Sequence, residues 1–311
     1  MMKHTIETIE KENTISKGTV QILDGYSFYK FIEALSNIRD EIPLRFDPIN
    51  KVLNISVMDS HRICMMNINI KEDTNIEVTD LKRFLKVKKN INVKVDGSVT
   101  GEQVCISLDD FRDILKIKKE TQKNVKLIFG DPYKLEIEKR KDNDYGLIKK
   151  SLVYLDLEFE EILLSSLESV EYLNKITISK KLLSDMFYES NKYSGICEIK
   201  TDEKGISFGE EGVIGGYEAI YPYDILESCD CDGSEDGMYA YHLLDVIKNF
   251  LDIMEKGDTI RIYQKTDYPL KVIIRFKRIN TTITYYVARR VLEEESDDDK
   301  EELDDNGKEV F

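Results

Sequence analysis

The stretch YAYHLLDVIKNFLDIMEKGDTIRIYQKTDYPLKVIIRFKRINTTITYYVARRV, residues 239–291, decides how the rest of the chain is read. Its first part predicts one amphipathic helix: Leu243, Leu244, Val246, Ile247, Phe250, Leu251 and Met254 recur at helical spacing, while Asp245, Lys248, Asn249 and Asp252 face away. Lys256-Gly257-Asp258 ends it. Strands follow at Thr259–Tyr263, Leu270–Phe276 and Thr281–Val287, the first two joined by a turn at Lys265–Asp267.

The same order of parts occurs earlier. Ser107–Lys116 reads as the helix, Val125–Phe129 as the strand, Gly130–Pro132 as the turn and Lys134–Glu138 as the return strand. The elements upstream are also duplicated. In the first copy, Thr19–Leu23 is a strand and Ser27 caps a helix with Phe28, Phe31, Ile32, Leu35 and Ile38 inside. A hairpin then joins Leu44–Phe46 to Val52–Val57, and a turn at Met58 feeds an alternating strand ending at Ile70. In the second copy, Ile176–Ser179 is a strand, Lys180–Tyr193 a helix, and Cys197–Lys200, Gly205–Phe208 and Tyr217–Tyr221 are strands. The first copy is longer. The surplus falls within Lys71–Gln103, where Asp80–Lys89 echoes Asp110–Lys119 and reads as an inserted helix at about 76–90.

A chain of 311 residues with 41% hydrophobic and 34% charged residues can bury a sizeable core and carries a two-domain prior. The lead up to Thr14 is polar, without the apolar core of a secretory signal, and no apolar run approaches the ~20 residues of a membrane span. Five irregularly spaced cysteines make no disulfide framework and point to a reducing compartment. The net charge of −15 is uneven: Glu293–Glu309 holds eleven acids and two lysines, so most of the excess sits in a tail too polar to fold. That leaves a body of about −6, which does not exclude nucleic acid if its cations share one face. The expected domains are a lead (1–17), a first copy (18–148), a connecting segment (149–171), a second copy (172–292) and an acidic tail (293–311).

Catalytic and metal motifs fail on spacing. Asp59, Ser60 and His61 are adjacent, so they cannot form a catalytic relay. Cys229 and Cys231 with His242 lack a second ligand pair for zinc, and Asp230-Cys-Asp232 does not follow the calcium-loop pattern. No glycine loop cradles a phosphate, no cofactor is expected, and nothing argues for an enzyme.

Four motifs in register resemble the PCNA-type DNA sliding clamps. Met58-Asp-Ser-His-Arg-Ile63 is similar to that family's M-D-x-S-[RH]-V turn, and Tyr154-Leu-Asp-Leu157 to the opening of its interdomain connecting loop. Asp267-Tyr-Pro-Leu-Lys271 resembles D-x-P-[LM]-[KRV], and Tyr285-Tyr-Val-Ala-Arg-Arg-Val291 the closing Y-Y-L-A-P-[KR]-[IV]. The likeness runs from about Gly18 to Glu295. Arg289 departs from it, standing where the family usually has proline, and so does the inserted helix.

The resemblance implies an α+β fold of duplicated DNA-clamp (processivity fold) domains, with antiparallel sheets outside and helices lining a ring of three subunits. The edges meeting between subunits would be Lys149–Leu155 and Tyr217–Tyr221. Double-stranded DNA, bound without sequence preference, would pass Lys30, Arg112, Lys116, Lys119, Lys181, Lys192 and Lys248, among which acids are interspersed. Client proteins would insert short hydrophobic peptides beside Met58, Arg62, Ile63, Ile162, Leu164, Pro269, Tyr286 and Ala288. The implied partners are a clamp loader, DNA polymerase, flap endonuclease and DNA ligase, with no membrane. The implied location is intracellular: nucleoid, nucleus or a viral replication site. The rival reading is a clamp-fold regulatory or scaffold subunit that does not encircle DNA on its own.

Overall fold

Both copies build the same frame from antiparallel strands. The computed structural model describes residues 18–290, apart from 23, 48–51, 72–74, 79–90, 94–98, 118–121, 130, 132, 142–145, 158–163, 190–194, 203, 214 and 278–279. The first copy contains β1 (Gly18–Ile22), α1 (Gly25–Leu35), β2 (Glu41–Asp47), β3 (Val52–Met58), β4 (Cys64–Ile70), β5 (Asn75–Val78) and β6 (Ile91–Val93). It continues with β7 (Val99–Ser107), α2 (Leu108–Leu115), β8 (Gln122–Phe129), β9 (Lys134–Lys141) and β10 (Leu147–Val153). After α3 (Leu164–Glu168), the second copy begins with β11 (Asn174–Ile178), α4 (Lys180–Glu189), β12 (Ile196–Asp202), β13 (Gly205–Gly212), β14 (Gly215–Pro222) and β15 (Ser228–Asp230). It ends with β16 (Glu235–Ala240), α5 (Tyr241–Asp245), α6 (Lys248–Leu251), β17 (Thr259–Gln264), β18 (Leu270–Phe276) and β19 (Thr281–Val287).

The duplication extends to the pairing. In the first copy β1 joins β8, β8 joins β9 and β9 joins β10; in the second β11 joins β17, β17 joins β18 and β18 joins β19. The series β7–β2–β3–β4 likewise matches β16–β12–β13–β14. The copies fuse where β19 pairs with β4, making one ten-stranded sheet from half of each. The other halves are separate sheets ending at β10 and β14; among the described residues β10 pairs only with β9, and β14 only with β13.

Helices α1, α2, α4, α5 and α6 pack on one side of these sheets, as their apolar stripes require. Phe28 of α1 meets Phe111 of α2 edge-on, ring centroids 6.0 Å apart. Phe31 crosses the junction between copies, 6.1 Å from Phe250 of α6 and 5.1 Å from Phe276 of β18. The C-terminus of α2 is closed by a buried lysine: Lys139 donates through Nζ to the carbonyls of Ile114 at 2.7 Å and Lys116 at 3.4 Å. Burial holds its pKa below the ordinary lysine value.

Several expectations need correction. Asp24, not Ser27, caps α1: its carboxylate accepts from the Ser27 N–H at 3.0 Å and the Ser27 hydroxyl at 2.7 Å, placing Ser27 in the first turn. The single helix expected to carry Leu243 through Met254 is two short helices, with i→i+3 bonds through the β-branched pair Val246-Ile247. The tighter winding still buries all seven predicted apolar residues. β4 is not alternating. Met65 and Asn67 are buried along with Met66 and Ile68, because the strand lies centrally and its outer face is also covered. The edge strand expected over Lys149–Leu155 runs instead from Leu147 to Val153 as β10, paired with β9. The inserted helix lies outside the described residues, apart from its flank in β5.

Candidate partner and DNA-contacting surfaces

The expected client residues converge at the junction of the copies. Successive residues of a strand face opposite ways. The Tyr285 hydroxyl donates inward to the Leu243 carbonyl of α5 at 2.8 Å, so Tyr286 faces away from the helices. On that outer face the register sets Met58 across from Met65, Met65 across from Tyr286, Tyr286 across from Lys271, and Lys271 across from Tyr263. The row continues to Tyr172, whose ring lies 6.0 Å from Tyr263 and whose hydroxyl donates to the Pro269 carbonyl at 2.9 Å.

Lys271 sits among the rings of this row, its Nζ 5.7 Å from the centroid of Tyr172, 5.5 Å from Tyr263 and 5.4 Å from Tyr286. Burial there depresses the lysine pKa and pushes Tyr286 up to about 12. Sequence reasoning missed Lys271, Tyr263 and Tyr172 as members of this surface. Their common signal is lateral pairing, which linear spacing does not carry.

The neighbouring turn is built by Asp59. Its Oδ1 accepts from the Cys64 N–H at 2.8 Å, its own N–H donates to the Cys64 carbonyl at 3.1 Å, and the Arg62 N–H closes on the Asp59 carbonyl at 3.1 Å. This winding puts Arg62 at φ 60° and leaves Ile63 38% exposed. Arg39 steadies the strand below, donating to the Met58 carbonyl at 3.0 Å. Met58, Arg62, Ile63, Pro269, Tyr286 and Ala288 thus fall at the ends of β3 and β19, on either side of β4, and on the β3–β4 and β17–β18 turns. Ile162 lies outside the described residues; Leu164 begins α3. Arg289 points to carboxylates, its Nη1 2.8 Å from Asp267 and its Nη2 3.4 Å from Asp236. It thereby ties the β17–β18 turn to the start of β16.

Three of the seven expected DNA-facing cations are paired within their own helices. Lys30 pairs with Glu33, Arg112 with Asp109 at 2.9 Å and Asp113 at 3.7 Å, and Lys248 with Asp245 at 3.7 Å. Burial, the largest influence on Glu33, raises its pKa, but hydrogen bonds from Lys30 and Tyr29 and the nearby positive charges together outweigh it. The Glu33 pKa falls below the ordinary value, while the bond to Glu33 raises that of Lys30. Lys116 and Lys181 are exposed and make no ion pair among the described residues. Lys119 and Lys192 lie outside them.

The other motifs assemble no chemistry. Ser60 Oγ approaches His61 Nδ1 at 3.2 Å, and the Asp59 carboxylate faces the same nitrogen at 3.9 Å, whereas a relay needs opposite sides of the ring. Burial pushes the Cys229 thiol up to about 12, away from the thiolate that zinc requires. No group of three metal-ligating side chains forms among the described residues. An apolar cavity between α4, α5 and the sheet, lined by Leu183, Phe187, Ile199, Phe208, Leu244 and Ile262, holds only about 20 Å³. It is a packing void of roughly one water's space, far short of a ligand pocket. No helix of the described residues is long and apolar enough to cross a membrane.

No family model matches the chain. A DNA polymerase sliding clamp of Nanoarchaeum equitans is 24% identical over 193 residues, spanning 58% of this chain and 72% of that protein. A structure of A. fulgidus PCNA bound to the C-terminal region of FEN-1 superposes with a TM-score of 0.66 at 18% identity, over 88% of this chain and all of that one. In its motifs and its sequence relative the chain resembles the PCNA-type sliding clamps, and it shares their fold.

Proposed function

We propose that this chain is a DNA polymerase processivity clamp. Three copies close into a ring around duplex DNA, opened and placed there by an ATP-driven clamp loader. The ring then tethers a polymerase, a flap endonuclease and a DNA ligase through short hydrophobic-aromatic peptides, and catalyses nothing itself. One observation carries the reading: among the described residues β10 and β14 are open edges, while their counterparts β19 and β4 are paired with each other inside the chain. A frame that satisfies one such junction internally and leaves the matching edge of each copy open is suited to head-to-tail closure. The flap-endonuclease peptide bound by the A. fulgidus relative supports the client role of the Met58–Tyr286 surface.

The paired cations favour a second reading, a clamp-fold scaffold that collects partners without encircling DNA. Light scattering on the full chain at micromolar concentration separates the two. A three-chain mass supports the ring. A stable mass of 36.2 kDa contradicts self-assembly.

A further inference from the structure

We propose that Lys271 and the hydroxyl of Tyr286 form a carboxylate-binding subsite on the client surface, so that this chain prefers client peptides placing an aspartate or glutamate side chain there. The inference rests on the client reading above and adds the chemistry such a peptide must present.

Two donors meet at this point without an acceptor. Tyr286 is 3% exposed, yet its hydroxyl has no hydrogen-bond partner among the described residues. Directly opposite on β18, Lys271 is half-buried and makes no hydrogen bond or ion pair among them. Neighbours of the same kind in the row are satisfied. The Tyr172 hydroxyl donates to the Pro269 carbonyl, and Lys175, one strand beyond Tyr263, has the Asp230 carboxylate at 3.8 Å. A buried hydroxyl without an acceptor and a dehydrated ammonium without a counter-charge both cost folding free energy. A single carboxylate relieves both, since it accepts from each donor and opposes the charge.

The lysine is held ready for that role. β19 and β17 flank β18, so Tyr286 and Tyr263 stand on either side of Lys271, and with Tyr172 their rings lie within 5.7 Å of its Nζ. The rings restrain the ammonium by cation–π attraction but offer it no lone pair. Its stem therefore loses little freedom when an anion arrives. Glu168 of α3 is the chain's own acid acting on this place, raising the pKa of both Lys271 and Tyr286. It is exposed and bonds to neither among the described residues, so the chain does not fill the subsite itself.

The row also sets where the acid falls. Met65 lies on β4 and Lys271 on β18, two strand spacings apart. That is about 10 Å, the span of about three residues of extended chain. A peptide that crosses the strands with an apolar side chain against Met65 thus carries its acid within about three residues of that anchor.

The test is titration of the full chain with a flap-endonuclease C-terminal peptide, in a set where each position in turn is glutamate or glutamine. Every peptide is amidated, which removes the terminal carboxylate as a second source of the same group. At one position glutamate should bind about tenfold tighter than glutamine. Lys271→Met, which keeps the stem and removes the charge, should abolish that ratio and leave the Kd of the glutamine peptide unchanged. Tyr286→Phe should reduce the ratio without abolishing it. Equal Kd for glutamate and glutamine at every position, or a preference that survives Lys271→Met, overturns the subsite and leaves the client reading standing. A preference that emerges only after Glu168→Gln makes Glu168 the occupant and overturns the subsite as well. Failure of every peptide to bind overturns the client reading itself.

Discussion

The main-chain N–H of Ala288 donates to the carbonyl of Ile63 at 2.8 Å, extending the β4–β19 ladder one step beyond the Val287–Cys64 pair. That bond joins the end of the second copy to the turn of the first. The junction beside the proposed client residues is thus fixed by backbone pairing.

Ile63 is the exposed apolar residue at this seam, so truncating it should weaken client binding and spare the fold. For Ile63→Ala we expect a loss of about 1–2 kcal/mol, roughly tenfold in Kd, in titration with a flap-endonuclease C-terminal peptide. Val213→Ala, at the distant β13–β14 turn, should leave Kd unchanged. Equal effects from both substitutions would remove Ile63 from the site.

Phe31 touches aromatic rings on α6 and β18 of the other copy. Phe31→Ala should cost about 3–5 kcal/mol, read as a lowered denaturant midpoint. Because the residue lies at the seam, the two copies should unfold together in the unaltered chain, and the variant should broaden or split that transition. A small loss with an unchanged profile would show that the copies do not depend on this packing.

Carboxylates neutralise three of the expected DNA-facing cations. Replacing Glu33 by Gln and Asp109, Asp113 and Asp245 by Asn should free Lys30, Arg112 and Lys248 for phosphate. Binding to linear duplex at low salt should tighten, and the slope of log affinity against log salt should steepen by about 0.9 for each additional phosphate neutralised. An unchanged slope would place these helices away from DNA.

Alkaline unfolding should be led by buried tyrosines. Burial raises Tyr286 from its ordinary value of 10.0 to about 12 and pushes Tyr172, Tyr239, Tyr241 and Tyr285 up as well. The folded state thus keeps protons that the unfolded state loses, so stability is intact below about pH 10 and falls as pH rises toward 12 and beyond. Tyrosine ultraviolet absorbance followed alongside circular dichroism should show ionisation and unfolding in step. Tyrosines that ionise near pH 10 in a folded chain would contradict the burial described.

The sequence makes the strands Leu270–Phe276 and Thr281–Val287 legible to the residue, because β-branched alternation and flanking turns agree on both ends. The caps are less legible: Ser107 reads as the first helical residue and Ser27 as a cap, whereas in the fold Ser107 caps α2 and Asp24 caps α1. The break at Val246-Ile247 is hidden because tightening the helix leaves the same apolar stripe inside. The central position of β4 has a trace in the consecutive pair Met65-Met66, which an alternating strand would not carry. The pairing of Lys30 with Glu33, Asp109 with Arg112 and Asp245 with Lys248 can be read from their three-residue spacing. The row from Met58 to Tyr172 cannot, since its members come from separate parts of the chain and only sheet register brings them together.

The central claim is topological, and retention on DNA tests it most directly. The chain should be loaded onto nicked circular DNA with a clamp loader and ATP, isolated by gel filtration, and the DNA then cut once. A ring that encircles the duplex remains bound to the circle in moderate salt and leaves when the circle is linearised. Equal retention on circular and linear DNA, or none on either, would contradict the account.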